Sequence, residues 1–191
     1  LDADLCLALA LYGREIFREG PALKLLVMSA TLAGEEVSKL LGNAPIVTSN
    51  GRQFPVETRY CEAHQLRHSI VQPAIDVVLR VLKEQAGSIL VFLPGQREIS
   101  NVARGLADAL EHFAEPVQIS PLYGGLSLER QQQALLPAPE GKRKIVLSTN
   151  LAETSLTIEG VTLVVDSGLV REAAFDPASG ITRLGTRRIS R

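Results

Sequence analysis

The first part of the chain shows two patterns of apolar residues, a helical periodicity and then a continuous run. Over residues 2–19 apolar side chains recur every three or four positions, which predicts an amphipathic helix that ends at Gly20 and Pro21. The continuous apolar run at 23–28 predicts a buried strand. A short helix that ends near Gly42 should follow it.

From position 69 onwards, continuous apolar runs alternate with segments of helical periodicity. The predicted strands are 89–93, 117–119, 145–147 and 161–165, and the predicted helices are 69–87, 99–110 and 127–136. Ser69 is placed to cap the first of these helices, and Gly87 is placed to end it. Such alternation predicts an α/β fold in which helices flank a parallel sheet through right-handed crossovers.

Two segments depart from this alternation. Residues 43–60 hold proline and glycine among polar residues without helical periodicity, which predicts an extended connector between domains. The apolar runs 170–175 and 181–184 flank the loop 176–180, which predicts a β-hairpin. We therefore expect the tail of one domain at 1–44, a connector at 45–60 and a second domain at 61–191.

Composition narrows the class of protein. Hydrophobic residues make up 46% of the 191 positions, which excludes a disordered chain, and aromatic residues only 4%. Two cysteines and three histidines without metal-ligand spacing favour neither a disulfide scaffold nor a zinc site, and fit a reducing, cytoplasmic setting. No apolar run approaches the ~18 residues of a membrane span, so no membrane partner is expected.

Charge alone does not indicate a nucleic-acid partner. The formal net charge is -1, whereas free-standing nucleic-acid domains are often strongly basic. The last third of the chain is nevertheless locally basic, with Arg183, Arg187 and Arg188 close together. A solvated surface that carries arginines explains this equally well.

Small polar residues follow several predicted strands. If the strands are parallel, these residues share one edge of the sheet, where hydroxyls, amides and backbone N–H groups can bind phosphate oxygens. Helix capping is the simpler alternative for the residues near position 30. The segment 148–160 holds more polar side chains than a plain crossover needs, although a capped loop stays an alternative. The groups are Ser29 and Thr31; Pro94 and Gly95; Ser148, Thr149 and Asn150; and Asp166, Ser167 and Gly168.

The sequence holds no complete catalytic set. It lacks the G-x-x-x-x-G-K-[ST] phosphate loop and a strand that ends in paired acidic residues. His64 and His68 have the spacing of one helix face but lack the glutamate of a metalloprotease motif. An unrelated α/β nucleotide-binding protein would need a glycine-rich phosphate loop, which the sequence does not contain.

Several segments, in this order, resemble the motifs of the DEAH-box helicases of superfamily two, and within them the bacterial HrpB type. The segment 148–160, STNLAETSLTIEG, resembles motif V and is highly specific, while MSAT at 28–31 resembles motif III and ILVFLPGQ at 89–96 resembles motif IV. GRQFPVE at 51–57 is similar to the family's interdomain connector. The resemblance implies a RecA-like fold, with the phosphate loop and magnesium ligands upstream of residue 1 and motif VI downstream.

The resemblance also implies roles in nucleic-acid binding and coupling. Thr149 and Asn150 would contact the RNA backbone, and Arg171 would pair with a phosphate. Ser29 and Thr31 would couple ATP hydrolysis to movement of the two RecA-like domains. The segment 171–185 matches the family's β-hairpin, which in relatives lies near the point of strand separation.

A second group of implied roles concerns the nucleotide. Ser155 would sense the γ-phosphate, and Thr157 and Glu159 would face the ribose and diphosphate. Glu159 stands where many relatives have Asp. Leu135 stands where many have a Phe that stacks on adenine, so the base contact should be weaker here.

As a whole, the resemblance implies part of an ATP-dependent RNA helicase that uses ATP with Mg. Its partners would be single-stranded RNA, with DNA as an open alternative, and the first RecA-like domain of the same chain, and the parent is expected to be a monomer. The alternative is a RecA-like module that binds RNA or protein without hydrolysis. A phosphate loop upstream and an arginine-rich motif downstream would distinguish the two.

Overall fold

The computed structural model describes residues 2–16, 20–21, 23–28, 34–49, 51, 54–61, 69–152 and 158–189. The chain divides into two compact units, Leu1–Arg59 and Tyr60–Arg191. The proposed domain limits at 44 and 60 stay a prediction.

The described residues of the first unit form two helices, α1 (Asp2–Ile16) and α2 (Gly34–Leu40). The apolar stripe of α1 is exposed, with 61% of Leu9 and 60% of Tyr12 accessible to solvent. The strand predicted at 23–28 is wrong, because these residues adopt no regular secondary structure. A strand needs a hydrogen-bonded neighbour, and the described part of this unit contains no other strand to pair with it.

The second unit contains the predicted parallel sheet. Its elements are α3 (Val71–Glu84), β1 (Ser88–Phe92), α4 (Gln96–Leu110), β2 (Val117–Leu122), α5 (Leu128–Leu135), β3 (Arg143–Ser148), a single 3-10 turn (Asn150–Ala152) and β4 (Val161–Asp166). The four strands are parallel in the order β2-β3-β1-β4. The predicted α/β fold is therefore confirmed.

Helices cover both faces of this sheet, so the two inner strands read as continuous apolar runs. On one face α3 and α4 pack on β1 and β3, around fully buried Val78, Val102 and Ile145. On the other face a smaller buried cluster gathers side chains from α5, β3 and the segment that leads into β4. Alternate residues of β3 thus enter two different cores.

Helix ends follow the local sequence. The Ser127 hydroxyl accepts a hydrogen bond from the Arg130 N–H at 3.4 Å and caps α5. The Ser69 hydroxyl accepts one from the Val71 N–H at 3.3 Å at the start of α3. β2 runs to Leu122, beyond its predicted end at 119, because an edge strand tolerates Pro121.

A hairpin follows the parallel sheet. β5 (Leu169–Asp176) pairs antiparallel with β6 (Ile181–Arg188). Both strands are longer than predicted, so the turn between them is one residue shorter, at 177–180. Asp176 organises this turn, since its carboxylate accepts hydrogen bonds from the Ser179 hydroxyl at 2.6 Å and the Ala178 N–H at 3.0 Å.

The connection between α3 and β1 depends on Gly87 and Arg143. Gly87 has a φ of 101°, in the region that favours glycine, and a Cβ there would collide with the Thr162 hydroxyl. The Arg143 guanidinium donates hydrogen bonds to the carbonyls of Leu82 at 2.6 Å, Gln85 at 2.7 Å and Gly87 at 3.0 Å. It thereby satisfies carbonyls that the end of α3 leaves unpaired.

We predict that Gly87→Ala lowers the free energy of unfolding by about 2–3 kcal/mol, since it combines a strained φ with a collision in a packed region. Gly141→Ala is the matched control: its φ is 71°, but a Cβ would meet nothing within 4 Å. The control should cost about 1 kcal/mol. Urea unfolding of both variants measures the difference, and equal losses would contradict the packing argument.

A second prediction concerns the hairpin turn. The hydrogen bond from Ser179, followed by the bond from Ala178, lowers the pKa of Asp176 below its usual 3.8. Because the folded pKa is depressed, the turn is most stable above pH 3.8 and loses that contribution as the pH falls through the lowered value. The Ala178 amide shift should titrate with a midpoint below 3.8, and Ser179→Ala should raise that midpoint. A wild-type midpoint at or above 3.8 would disprove the contact.

Candidate functional site

The carboxyl ends of the four parallel strands meet at one edge of the sheet. Ser148 at the end of β3 pairs with Phe92 of β1 and Leu122 of β2, and Phe92 pairs with Asp166 of β4. The backbone pairing continues one residue further, for example from Leu93 N to Ser148 O at 2.8 Å. The loops that follow β1, β3 and β4 therefore leave the sheet side by side, as the sequence predicted.

Thr149 and Asn150 begin the loop after β3. Fully buried Ser148 donates its hydroxyl to the Thr149 carbonyl at 2.9 Å, and the Thr149 hydroxyl accepts from the Leu151 N–H at 3.5 Å. Asn150 is exposed at the start of the 3-10 turn. The sheet thus holds this turn from its buried side and presents the Asn150 amide to solvent.

Arg171 of β5 reaches the loop after β1. Its Nη1 would lie 3.2 Å from a Cβ placed on Gly95, so the guanidinium occupies the space that a side chain at Gly95 would take. Glu98 Oε2 lies 3.0 Å from the same point and is buried, and it has no hydrogen-bond partner in the described part of the chain. Two residues that lie far apart in sequence, Gly95 and Arg171, are thus brought together as neighbours.

Tyr123 joins this edge, although the sequence reasoning missed it. Its hydroxyl accepts a hydrogen bond from Gln96 Nε2 at 3.1 Å, which links the loop after β2 to the start of α4. Tyr123 follows β2 directly, as Thr149 follows β3. The rule that functional side chains follow parallel strands would have found it, had the end of β2 been placed at Leu122 instead of 119.

Leu135 and Glu159 lie at the opposite edge, where the strands begin. Half-buried Leu135 is the last residue of α5, and the carbonyl of the next residue, Leu136, accepts a hydrogen bond at 2.6 Å from the side chain of Lys144, the second residue of β3. Glu159 is exposed in the turn just before β4. Leu135 and Glu159 therefore both lie at the amino edge of the sheet.

Four predicted site residues, Ser29, Thr31, Ser155 and Thr157, fall outside the described residues. Their predicted roles stay predictions. The five others separate into two groups at opposite edges of the sheet: Thr149, Asn150 and Arg171 at the carboxyl edge, and Leu135 and Glu159 at the amino edge.

Two features are absent from the described part of the chain. Among the described residues no group of three or more His, Cys, Asp or Glu side chains could hold a metal ion. None of the helices within the described ranges is long and apolar enough to cross a membrane.

The sequence of the chain is similar to those of known proteins. The family model for the helicase conserved C-terminal domain matches residues 73–186. The chain is 50% identical over its whole length to the ATP-dependent RNA helicase HrpB of Escherichia coli, and covers 23% of that protein. It is 41% identical over 86% of its length to the pre-mRNA-splicing factor ATP-dependent RNA helicase prp22 of Schizosaccharomyces pombe, of which it covers 14%.

Solved structures agree with the sequence comparison. The crystal structure of the Escherichia coli DEAH/RHA helicase HrpB superposes on the whole chain with a TM-score of 0.82 at 47% identity, and the chain covers 24% of it. The chain spans less than a quarter of the length of the relatives it matches. The chain therefore belongs to the family of the helicase conserved C-terminal domain, and its sequence and fold are similar to those of the DEAH/RHA helicase HrpB.

Proposed function

We propose that this chain is part of an ATP-dependent RNA helicase and supplies the second-domain half of its ATP cleft together with contacts to the RNA backbone. The observation that carries the proposal is the separation of the two predicted groups. The residues predicted to bind RNA gather at the carboxyl edge of the sheet, and the two described residues predicted to face the nucleotide gather at the amino edge. Such a domain contacts both ligands without letting them compete.

The carboxyl edge supports binding of single-stranded RNA through its backbone. Thr149 provides a hydroxyl, Asn150 an exposed amide and Arg171 an exposed guanidinium, and all three groups bind phosphate oxygens. Contacts of this kind hold a strand without reading its sequence. Because sugar contacts do not enter this argument, DNA stays open as a second substrate.

The amino edge supports binding of ATP. Leu135 offers an apolar surface to the base, and Glu159 offers carboxylate oxygens to the ribose hydroxyls. Ser155 and Thr157 would complete the contacts near the phosphates. In this account the Mg ligands and the phosphate loop belong to the first RecA-like domain.

Thr149 and Glu159 lie at opposite edges of the sheet but only ten positions apart in sequence, which supports a connection between the two ligands. When the first RecA-like domain closes over ATP, contacts of Ser155 and Thr157 with the phosphates would bias the segment 149–159, and Thr149 and Asn150 would shift with it along the RNA. Ser29 and Thr31 would couple hydrolysis to that movement from the side of the first domain. We expect the parent to act as a cytoplasmic monomer.

Turnover of the full-length parent tests the proposal. We predict RNA-stimulated ATPase activity, with Thr149→Ala raising the RNA concentration for half-maximal stimulation roughly three- to tenfold, since it removes one phosphate contact. Ser155→Ala should lower kcat roughly tenfold by removing a contact to the γ-phosphate. Ser100→Ala is the control, because Ser100 is exposed on α4, and this variant should behave as wild type.

A parent that binds RNA but never hydrolyses ATP would overturn the helicase proposal. That result would support the alternative, a RecA-like module that binds RNA or protein without hydrolysis.

A second prediction tests the contact between Arg171 and the loop after β1. Gly95→Ala places a methyl group 3.2 Å from Arg171 Nη1, so the guanidinium must move. We expect Arg171→Ala to lower RNA affinity about threefold and to flatten the slope of log affinity against log salt by about one, since it removes a charge. Gly95→Ala keeps that charge and displaces it only slightly, so it should lower the affinity less and leave the slope nearly unchanged. Gly124→Ala, whose Cβ meets nothing within 4 Å, is the control. An unchanged salt slope in Arg171→Ala would remove Arg171 from the RNA site.

A further inference from the structure

Lys144 is a lysine with only 1% of its surface exposed, on β3 in the middle of the sheet. Its Nζ donates hydrogen bonds to the carbonyls of Leu136 at 2.6 Å, Ala134 at 2.8 Å and Gln133 at 3.3 Å. These are carbonyls of the last turn of α5 and of its cap. A helix leaves such groups without intrahelical partners, and its C-terminus favours a nearby cation.

Burying the amine of Lys144 costs free energy, which a residue that only filled the core would not require. Burial lowers the pKa of the Lys144 amine, because desolvation disfavours its charged form. An apolar side chain of similar volume is often at least as stabilising at a buried position. The three N–H donors of an ammonium group, however, match the three carbonyls, which no apolar side chain can satisfy.

The three carbonyls lie on both sides of Leu135. Gln133 and Ala134 precede it and Leu136 follows it, so Lys144 fixes the backbone around Leu135 to the sheet. The same row of the sheet also reaches β4: the Ser88 hydroxyl accepts from the Lys144 N–H at 3.2 Å, and Ser88 pairs with Val161. Through these bonds Lys144 connects the end of α5 to the first residues of β1 and β4. Glu159 lies two residues before the start of β4.

We propose that Lys144 is a positioning residue for the nucleotide, because its bonds to the three carbonyls hold Leu135 at the amino edge of the sheet, the edge at which Glu159 also lies. The inference rests on the proposed function, since it takes Leu135 as the contact for the base. Lys144 does not touch the nucleotide in this account. Its effect reaches the base through the backbone of α5.

Arg143, the preceding residue of β3, provides a control from the same strand. It caps the end of α3 on the opposite face of the sheet, with bonds to the carbonyls of Leu82, Gln85 and Gly87, and its Nη1 lies 3.7 Å from Glu115 Oε2. Both residues are cations that satisfy the carbonyls at a helix end. Only Lys144 acts on the helix that carries Leu135.

The test uses the full-length parent with saturating RNA, and compares Lys144→Met with Arg143→Met. Lys144→Met should raise the KM for ATP about five- to tenfold and leave kcat within about twofold, since base positioning affects binding more than chemistry. It should also weaken inhibition by ADP but not by pyrophosphate, which has no base. Arg143→Met should lower Tm without changing KM or either inhibition constant.

An unchanged KM in folded Lys144→Met, or an equal rise in Arg143→Met, would overturn the inference, as would equal weakening of pyrophosphate inhibition. If Lys144→Met does not fold, Lys144→Gln, which keeps two N–H donors, is measured in its place against the same criteria. A wild-type parent without ATPase activity would refute the proposed function itself. A wild-type parent with normal turnover and an unchanged variant refutes only the role of Lys144.

Discussion

Parallel pairing of β3 with both of its neighbours is the constraint on which the second unit depends. β3 lies between β1 and β2, and Ile145, Val146, Leu147 and Ser148 are all fully buried. Because side chains alternate along a strand, Ile145 and Leu147 enter the core under α3 and α4, while Val146 enters the cluster beside α5. A shift of one residue in this pairing would exchange the two cores and separate the loops that carry the site.

β3 also makes hydrogen bonds that support neighbouring segments at both edges of the sheet. At its amino end Arg143 and Lys144 bind the carbonyl ends of two helices on opposite faces. At its carboxyl end Ser148 binds the backbone of Thr149 and so supports the turn that presents Asn150. One strand thus supports both Leu135, which is proposed for ATP, and Asn150, which is proposed for RNA, and this allows contacts at one edge to be coupled to contacts at the other.

The sequence predicts the sheet well, because buried parallel strands leave a strong signal. Continuous apolar runs such as 89–93 and 145–147 locate the inner strands, and the polar residues behind them identify the carboxyl edge. The strand predicted at 23–28 is wrong, since an apolar run alone does not supply a partner for pairing. Periodicity also cannot show that Lys144, a charged residue inside an apolar run, lies buried on three carbonyls.

The contacts that the sequence does not predict join residues that lie far apart along the chain. No local pattern reveals that Arg171 of the hairpin lies beside Gly95, or that Gln96 binds Tyr123, because both contacts depend on how strands are ordered in space. The predicted roles of Thr149, Asn150, Glu159 and Leu135 came from motif resemblance. The structure adds their division between two edges, which the linear sequence does not contain.

Photo-cross-linking of the full-length parent, with each cross-link located to a single residue, tests this division most directly. The account predicts that an RNA strand carrying 4-thiouridine labels residues near Thr149, Asn150 and Gly95. An azido-substituted ATP should instead label residues near Leu135 and Glu159, and neither probe should displace the other. Labelling of the same residues by both probes, or labelling of the Leu135 edge by RNA, would contradict the account.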